Sequence, residues 1–160
     1  PASISLVISD NKNALGLKIA QDNNINTLIV ERDKFTNIHS FEKNLTEKIT
    51  FHNPYLICLA GFMRVLSNEF VDRFRGKIIN IHPSLLPKHK GLHTHEKAIN
   101  DGDEYAGCTV HHVTEQLDGG KIISQQKVKI EKSDDIDTLN KKVLEVEHKI
   151  YPEAIKLLLS

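Results

Sequence analysis

The sequence has no excess charge of either sign. Its 21 Lys and Arg balance 21 Asp and Glu, for a formal net charge of zero. That balance argues against nucleic acid as the main partner, because phosphate backbones are held by a basic field. No apolar run is longer than a short strand, so nothing reads as spanning a membrane, and no signal peptide is visible. Cysteine is scarce. Cys58 and Cys108 both lie in apolar, strand-like runs. They read as reduced core thiols of a cytoplasmic protein, not as a disulfide frame. Metal-ligand spacing is missing as well. The nine histidines include His93-Thr94-His95 and His111-His112, which match no common zinc pattern, and no cysteine pair accompanies them. No metal is expected. Internal repeats, linkers and low-complexity segments are also absent.

What is present is an alternation of strands and helices over 160 residues, enough for one domain with one sizeable core, taken as residues 1–160. Residues 3–9 alternate and then run apolar, as a buried strand does. Residues 14–23 carry Leu15, Leu17, Ile19 and Ala20 at near-helical spacing. Residues 27–30 read as a second strand. Ser40 can cap a helix through Ile49, with Phe41, Leu45 and Ile49 on one stripe. Residues 55–60 make a third strand. Ser67 can cap a short helix that turns Phe70, Val71 and Phe74 inward. Residues 77–82 are a fourth strand.

This order predicts an α/β, Rossmann-like fold, a mostly parallel sheet with helices on both faces. Residues 96–100 allow another helix. Residues 109–114 and 121–130 are separated by only a few positions, so they predict an antiparallel C-terminal pair. The last helix begins at Ser133-Asp134-Asp135, acidic residues that suit a helix N-terminus. Its buried stripe is Ile136, Leu139, Val143, Val146 and Ile150. Pro152 either breaks that helix or starts a second one.

Two stretches carry polar groups at element ends. Residues 77–87 read Lys-Ile-Ile-Asn-Ile-His-Pro-Ser-Leu-Leu-Pro. Strand side chains alternate with period two, so Asn80 and His82 point the same way. They emerge at the end of a strand, where open parallel sheets bind ligands. On this segment alone, a strand leaving into a polar loop explains the residues equally well. The second stretch, residues 107–123, holds Leu117-Asp118-Gly119-Gly120 between two β-branched runs. Paired glycines allow a tight turn or a close approach. A carboxylate held near His82 would fix the ring and favour its imidazolium.

Together these stretches resemble the folate-dependent formyltransferases, and the resemblance runs from about Ser3 to the C-terminus. Its most specific parts are Asn80-Ile81-His82-Pro83-Ser84-Leu85-Leu86-Pro87, Gly91-Leu92-His93-Thr94-His95, and residues 107–123 ending in the Asp118 loop. The first would admit the wider superfamily. The second favours the branch that formylates glycinamide ribonucleotide in purine synthesis. Other members include formyltetrahydrofolate hydrolases and nucleotide-sugar formyltransferases, and a folate-binding relative without turnover is a further alternative.

The resemblance implies 10-formyltetrahydrofolate as co-substrate, small-molecule partners only, and a monomer or weak homodimer. It implies Asn80, His82 and Asp118 as catalytic residues. Leu59, Met63, Arg64, Val65 and Leu66 would line the pterin pocket together with Asn80 and Asp118. Val113, Thr114 and Leu117 are further candidates there, with His111 beside them. Pro83 and Glu147 would contact the ribonucleotide, although Glu147 otherwise reads as an exposed helix charge.

Three features depart from the family. His112 occupies a usually aromatic or apolar position. Ile38 falls near where some relatives place a folate-contacting arginine. The family also opens with a strand and a Gly-Ser-Gly-Ser-Asn-like loop at a helix N-terminus, which holds substrate phosphate. Residues 3–9 resemble its second strand. The natural protein is therefore expected to carry about 25 further residues before Pro1, on the scale of a βαβ unit.

Overall fold

A computed structural model describes residues 2–160. The fold is α/β, with parallel and antiparallel strand pairs. The chain divides into two compact units, residues 1–55 and 56–160.

The first unit holds β1 (Val7–Ser9), α1 (Leu15–Asp22), β2 (Thr27–Ile29), a single 3₁₀ turn (Arg32–Lys34) and α2 (Ile38–His52). β1 and β2 pair in parallel, with Val7 opposite Thr27. The strand expected over residues 3–9 is shorter, and its side chains are half-buried, not buried. Within α1, Leu17 and Ala20 are buried, but Leu15 and Ile19 are exposed. The α2 stripe forms as its spacing predicts: Phe41, Leu45 and Ile49 are all buried. Its cap differs. The side chain of Asn37, not Ser40, accepts the backbone N–H of Ser40, and the Ser40 hydroxyl donates to the Asn37 carbonyl. Asn37 is extended (φ −150°), the backbone that an N-cap needs, so the helix starts earlier. Asn53 closes it in the left-handed region, φ 42°.

The second unit holds β3 (Ile57–Leu59), α3 (Asn68–Arg73), β4 (Ile78–His82), α4 (Thr94–Asn100), β5 (Tyr105–His112), β6 (Ile122–Lys129) and α5 (Ile136–Leu159). Its sheet runs β3-β4-β5-β6. β3 and β4 are parallel, whereas β5 is antiparallel to both β4 and β6. Ser67 caps α3 as expected, accepting from the Phe70 N–H. α4 starts earlier than its spacing suggested, at Thr94. Asp135 caps α5 in a reciprocal box with Thr138.

Pro152 neither breaks α5 nor starts a second helix, and the helix continues to Leu159. The buried residues Ile150 and Ala154 lie on either side of it. Packing of that stripe against β5 and β6 outweighs the one backbone bond that proline removes. The core of this unit joins Ile79 and Ile81 of β4, Cys108 and Val110 of β5, and Leu139, Val143 and Ile150 of α5. Cys58 was expected in a core but is exposed, while Cys108 is buried. Among the described residues, no helix is long and apolar enough to cross a membrane.

Candidate active site

In β4 two isoleucines that join the core, Ile79 and Ile81, alternate with two polar residues, Asn80 and His82. Ile78, Ile79 and Ile81 are buried, Asn80 is half-buried, and His82 ends the strand 5% exposed. The antiparallel partner β5 supplies what stands opposite. Asn80 pairs with His111, and His82 with Thr109. Opposed residues project from the same face of a ladder, so His111 joins Asn80 and His82. At His111 the β5–β6 register slips: Val110 pairs with Ser124 but His111 pairs with Ile122. Such a bulge re-aims a side chain beside a site.

The segment after β4 is pinned to β5. The Thr109 hydroxyl donates to the Ser84 carbonyl at 2.7 Å, and it accepts from the Leu86 N–H at 3.1 Å and the Gln125 amide at 2.9 Å. Pro83 follows His82 directly and is half-buried.

Asp118 reaches this cluster from the β5–β6 loop. Its own backbone is left-handed, φ 48°, so the turn is made at Asp118 and not at the paired glycines. Its Oδ2 accepts the Gly91 N–H at 2.8 Å and lies 3.6 Å from His82 Nδ1. Its Oδ1 lies 3.8 Å from His111 Nε2. His82 Nε2 donates to the His89 carbonyl at 2.9 Å. Nδ1 is therefore the nitrogen that faces the carboxylate.

His111 donates from Nδ1 to the His112 carbonyl at 2.9 Å. Burial lowers its pKa below the ordinary histidine value; that hydrogen bond and the Asp118 charge oppose the shift. Burial also lowers His95 on α4, opposed by its bond to Asn140 and helped by the nearby His82. Two imidazoles biased toward the neutral form thus lie near His82, and one of them, His111, also faces Asp118.

The sequence-predicted residues divide into those that meet and those that do not. Asn80, His82 and Asp118 converge, with His111 between Asn80 and Asp118. The proposed pterin run leaves β3 after Leu59 as an open loop. Met63 is 75% and Val65 71% exposed; Arg64 is also exposed, and Leu66 is half-buried. Leu117 is 55% exposed, while Val113 and Thr114 are half-buried.

Glu147 is half-buried, not the exposed helix charge its position allowed. Burial pushes its carboxyl up to about 7. Burial first, and then the Glu147 charge, push the Cys108 thiol up to about 12.

Sequence reasoning missed three supports. The His89 carbonyl and the Gly91 N–H hold the two catalytic candidates, and nothing in a loop sequence marks backbone groups for such a role. Tyr151 on α5 donates its hydroxyl to the Leu59 carbonyl at 2.7 Å, with the Ile79 carbonyl at 3.3 Å. It thereby ties the last helix to the strands that carry the site. Its place one turn beyond Glu147 was the only available signal. Among the described residues, no cluster of His, Cys, Asp or Glu could hold a metal ion.

Chemically, the cluster offers an amide donor, an imidazole and a carboxylate around one point. That set suits stabilising an oxyanion and moving a proton.

Comparison with known proteins points the same way. The model of the family described as formyl transferase matches residues 1–155. The phosphoribosylglycinamide formyltransferase of Escherichia coli (strain K12) is 41% identical over 153 residues, covering 96% of this chain and 72% of that protein. The trifunctional purine biosynthetic protein adenosine-3 of Bos taurus is 40% identical, over 99% of this chain but only 16% of its own length. Among solved structures, the phosphoribosylglycinamide formyltransferase of Brucella melitensis superposes with a TM-score of 0.93 at 42% identity, covering 99% of this chain and 81% of that one. In sequence and in backbone alike, the chain belongs to the formyl transferase family.

Proposed function

We propose that the protein transfers the formyl group of 10-formyltetrahydrofolate to the amine of glycinamide ribonucleotide, a step of purine biosynthesis in the cytoplasm. The observation that carries this reading is the convergence of Asn80, His82 and Asp118, with the carboxylate 3.6 Å from the imidazole. In the reaction the substrate amine attacks the formyl carbon and a C–N bond forms. The carbonyl oxygen becomes an oxyanion on a tetrahedral carbon. The bond from that carbon to N10 of the folate then breaks, and the proton lost by the amine ends on N10.

Asn80 donates to the oxyanion, which exists only after attack, so its contribution falls on the transition state. His82 and Asp118 carry the proton. Nε2 of His82 is engaged by the His89 carbonyl, so exchange runs through Nδ1 on the Asp118 side. The exposed apolar side chains of Met63, Val65 and Leu117 suit one wall for a flat heteroaromatic ring, with Leu59, Arg64, Leu66, Val113 and Thr114 beside them. Glu147 and Pro83 take the ribonucleotide side.

The test is a formyl-transfer assay on the full-length gene product with 10-formyltetrahydrofolate. Parallel reactions contain glycinamide ribonucleotide, an amino sugar nucleotide, or no acceptor. Turnover with the ribonucleotide is expected. Turnover only without an acceptor would mean a hydrolase, and folate binding with no turnover would mean a binding relative.

A further inference from the structure

His82 and Asp118 are both held by one short piece of main chain, residues 88–91. The His89 carbonyl accepts from His82 Nε2 at 2.9 Å, and the Gly91 N–H donates to Asp118 Oδ2 at 2.8 Å. This piece is not part of a helix or strand, so no ladder fixes it. His89 is left-handed, φ 52°, a conformation that residues with a side chain seldom adopt unless held.

What holds it is a carboxylate on the far side. Asp103 Oδ2 accepts from His89 Nε2 at 2.7 Å, and Asp103 Oδ1 accepts from Lys88 Nζ at 2.5 Å. The side chains of His89 and Asp103 are 11% and 10% exposed, so solvent screens their contact little. Asp103 is itself anchored, because its N–H donates to the Ala98 carbonyl at the end of α4. The Ser84 hydroxyl adds a bond to the Lys88 carbonyl at 2.6 Å. The space behind, lined by Ser84, His89, Thr94 and Asp103, has a volume of about 10 Å³, no more than one water occupies.

We propose that Asp103 is a positioning residue for the formyl-transfer site: by gripping Lys88 and His89 it fixes the main-chain carbonyl and N–H that set the orientation of His82 and Asp118. The proposal rests on the function given above for that site. Asp103 touches neither catalytic side chain. Its effect passes through the backbone of residues 88–91, which assigns the hydrogen of His82 to Nε2 and leaves Nδ1 toward the carboxylate.

The experiment uses the full-length protein and two variants, Asp103→Asn and His89→Leu. The first keeps shape but loses charge. The second removes the grip while leaving Asp103 bonded to Lys88. Nitrogen NMR of the free protein reads the His82 tautomer without any assay. The wild type should show a fixed Nε2–H form. Both variants should shift the ring toward a mixture of forms, at unchanged circular dichroism. In the assay, kcat should fall by up to about a hundredfold, the cost of roughly an ångström of misplacement. KM for each substrate should stay close to wild type. Asp101→Asn, which removes a carboxylate 3.9 Å from His89 Nδ1, should change little.

A folded Asp103→Asn protein with wild-type His82 signals would overturn the proposal. So would failure of both variants to fold, because Asp103 would then be structural and not positioning. If the wild type does not formylate glycinamide ribonucleotide but the tautomer still shifts, the functional reading fails and the brace stands.

Discussion

Asn80 and His111 face each other across the β4–β5 ladder, and their side-chain nitrogens meet at 3.4 Å. His111 spends its Nδ1 hydrogen on the His112 carbonyl, and burial keeps the ring neutral. Its Nε2 is therefore a lone pair, and the Asn80 amide turns an N–H toward it. That contact selects which end of the amide points to His111. The second N–H of the same nitrogen points away from that contact and would be available to the oxyanion of the proposed reaction. Under the function proposed above, His111 would set the aim of the oxyanion donor.

Asn80→Ala should lower the single-turnover rate far more than it weakens folate binding. Losing one oxyanion donor costs about 2.7–4 kcal/mol in a well-studied hydrolase. Asn80→Asp should do no better, because a carboxylate repels the oxyanion. His111→Phe should cost less, about 0.5–1.5 kcal/mol of transition-state stabilisation, the range of a single hydrogen bond. Its effect should nearly vanish in the Asn80→Ala background. Additive effects in that double-mutant cycle would rule the coupling out.

His82→Ala and Asp118→Asn should each cut turnover at least about a hundredfold while the protein stays folded. Asparagine is the informative substitution at Asp118. Its backbone sits at φ 48°, which asparagine tolerates and alanine resists, so asparagine removes the charge without straining the loop. Near-normal activity in either purified variant would refute the assignment.

The fold and half of the site could be read from local pattern. The Phe41, Leu45 and Ile49 stripe and the Ser67 cap depend on spacings within one helix, and so does the shared direction of Asn80 and His82 within one strand. What depends on tertiary context was not legible. Asn37 and Ser40 are both good capping residues, and only the extended backbone at Asn37 decides between them. Cys58 and Cys108 sit in similar apolar runs, yet one is exposed and the other buried. Pro152 looks like a helix end until the packing on both sides of it is known. The meeting of His111 with Asn80 depends on strand register and on a bulge, both set by residues distant in sequence.

Glu147→Gln should stabilise the protein in a pH-dependent way. Burial raises the carboxyl from 4.5 to about 7 in the folded state. The folded form thus holds this proton more tightly than the unfolded chain. Its stabilising contribution is complete below about 4.5 and is lost as pH rises through about 7. Glutamine cannot ionise and avoids that loss. In urea denaturation the variant should match wild type near pH 4, and its advantage should reach a plateau above pH 7.5. Curves that stay parallel across this range would exclude a buried, titrating Glu147.

Gly119 and Gly120 look interchangeable in sequence, but the structure predicts unequal tolerance. A Cβ at Gly119 would meet Gln116 Cβ at 2.8 Å, a clash that an exposed loop must shift to relieve, with no strand ladder attached to it. A Cβ at Gly120 would lie 1.7 Å from the His112 carbonyl oxygen. That peptide cannot give way easily. The His112 N–H donates to the Lys121 carbonyl, and the next N–H, of Val113, donates to the Ile78 carbonyl. The same His112 oxygen accepts from His111 Nδ1 and so fixes the tautomer whose Nε2 faces the Asn80 amide. Gly120→Ala should therefore cost at least the roughly 1–3 kcal/mol of an overpacked core. It should also disturb His111 Nδ1 in nitrogen NMR and slow single-turnover formyl transfer. Gly119→Ala should leave the His111 signals in place and lose less stability. Equal losses from the two substitutions, or an unperturbed His111 in folded Gly120→Ala, would break the proposed link from the Gly120 backbone through His112 and His111 to Asn80.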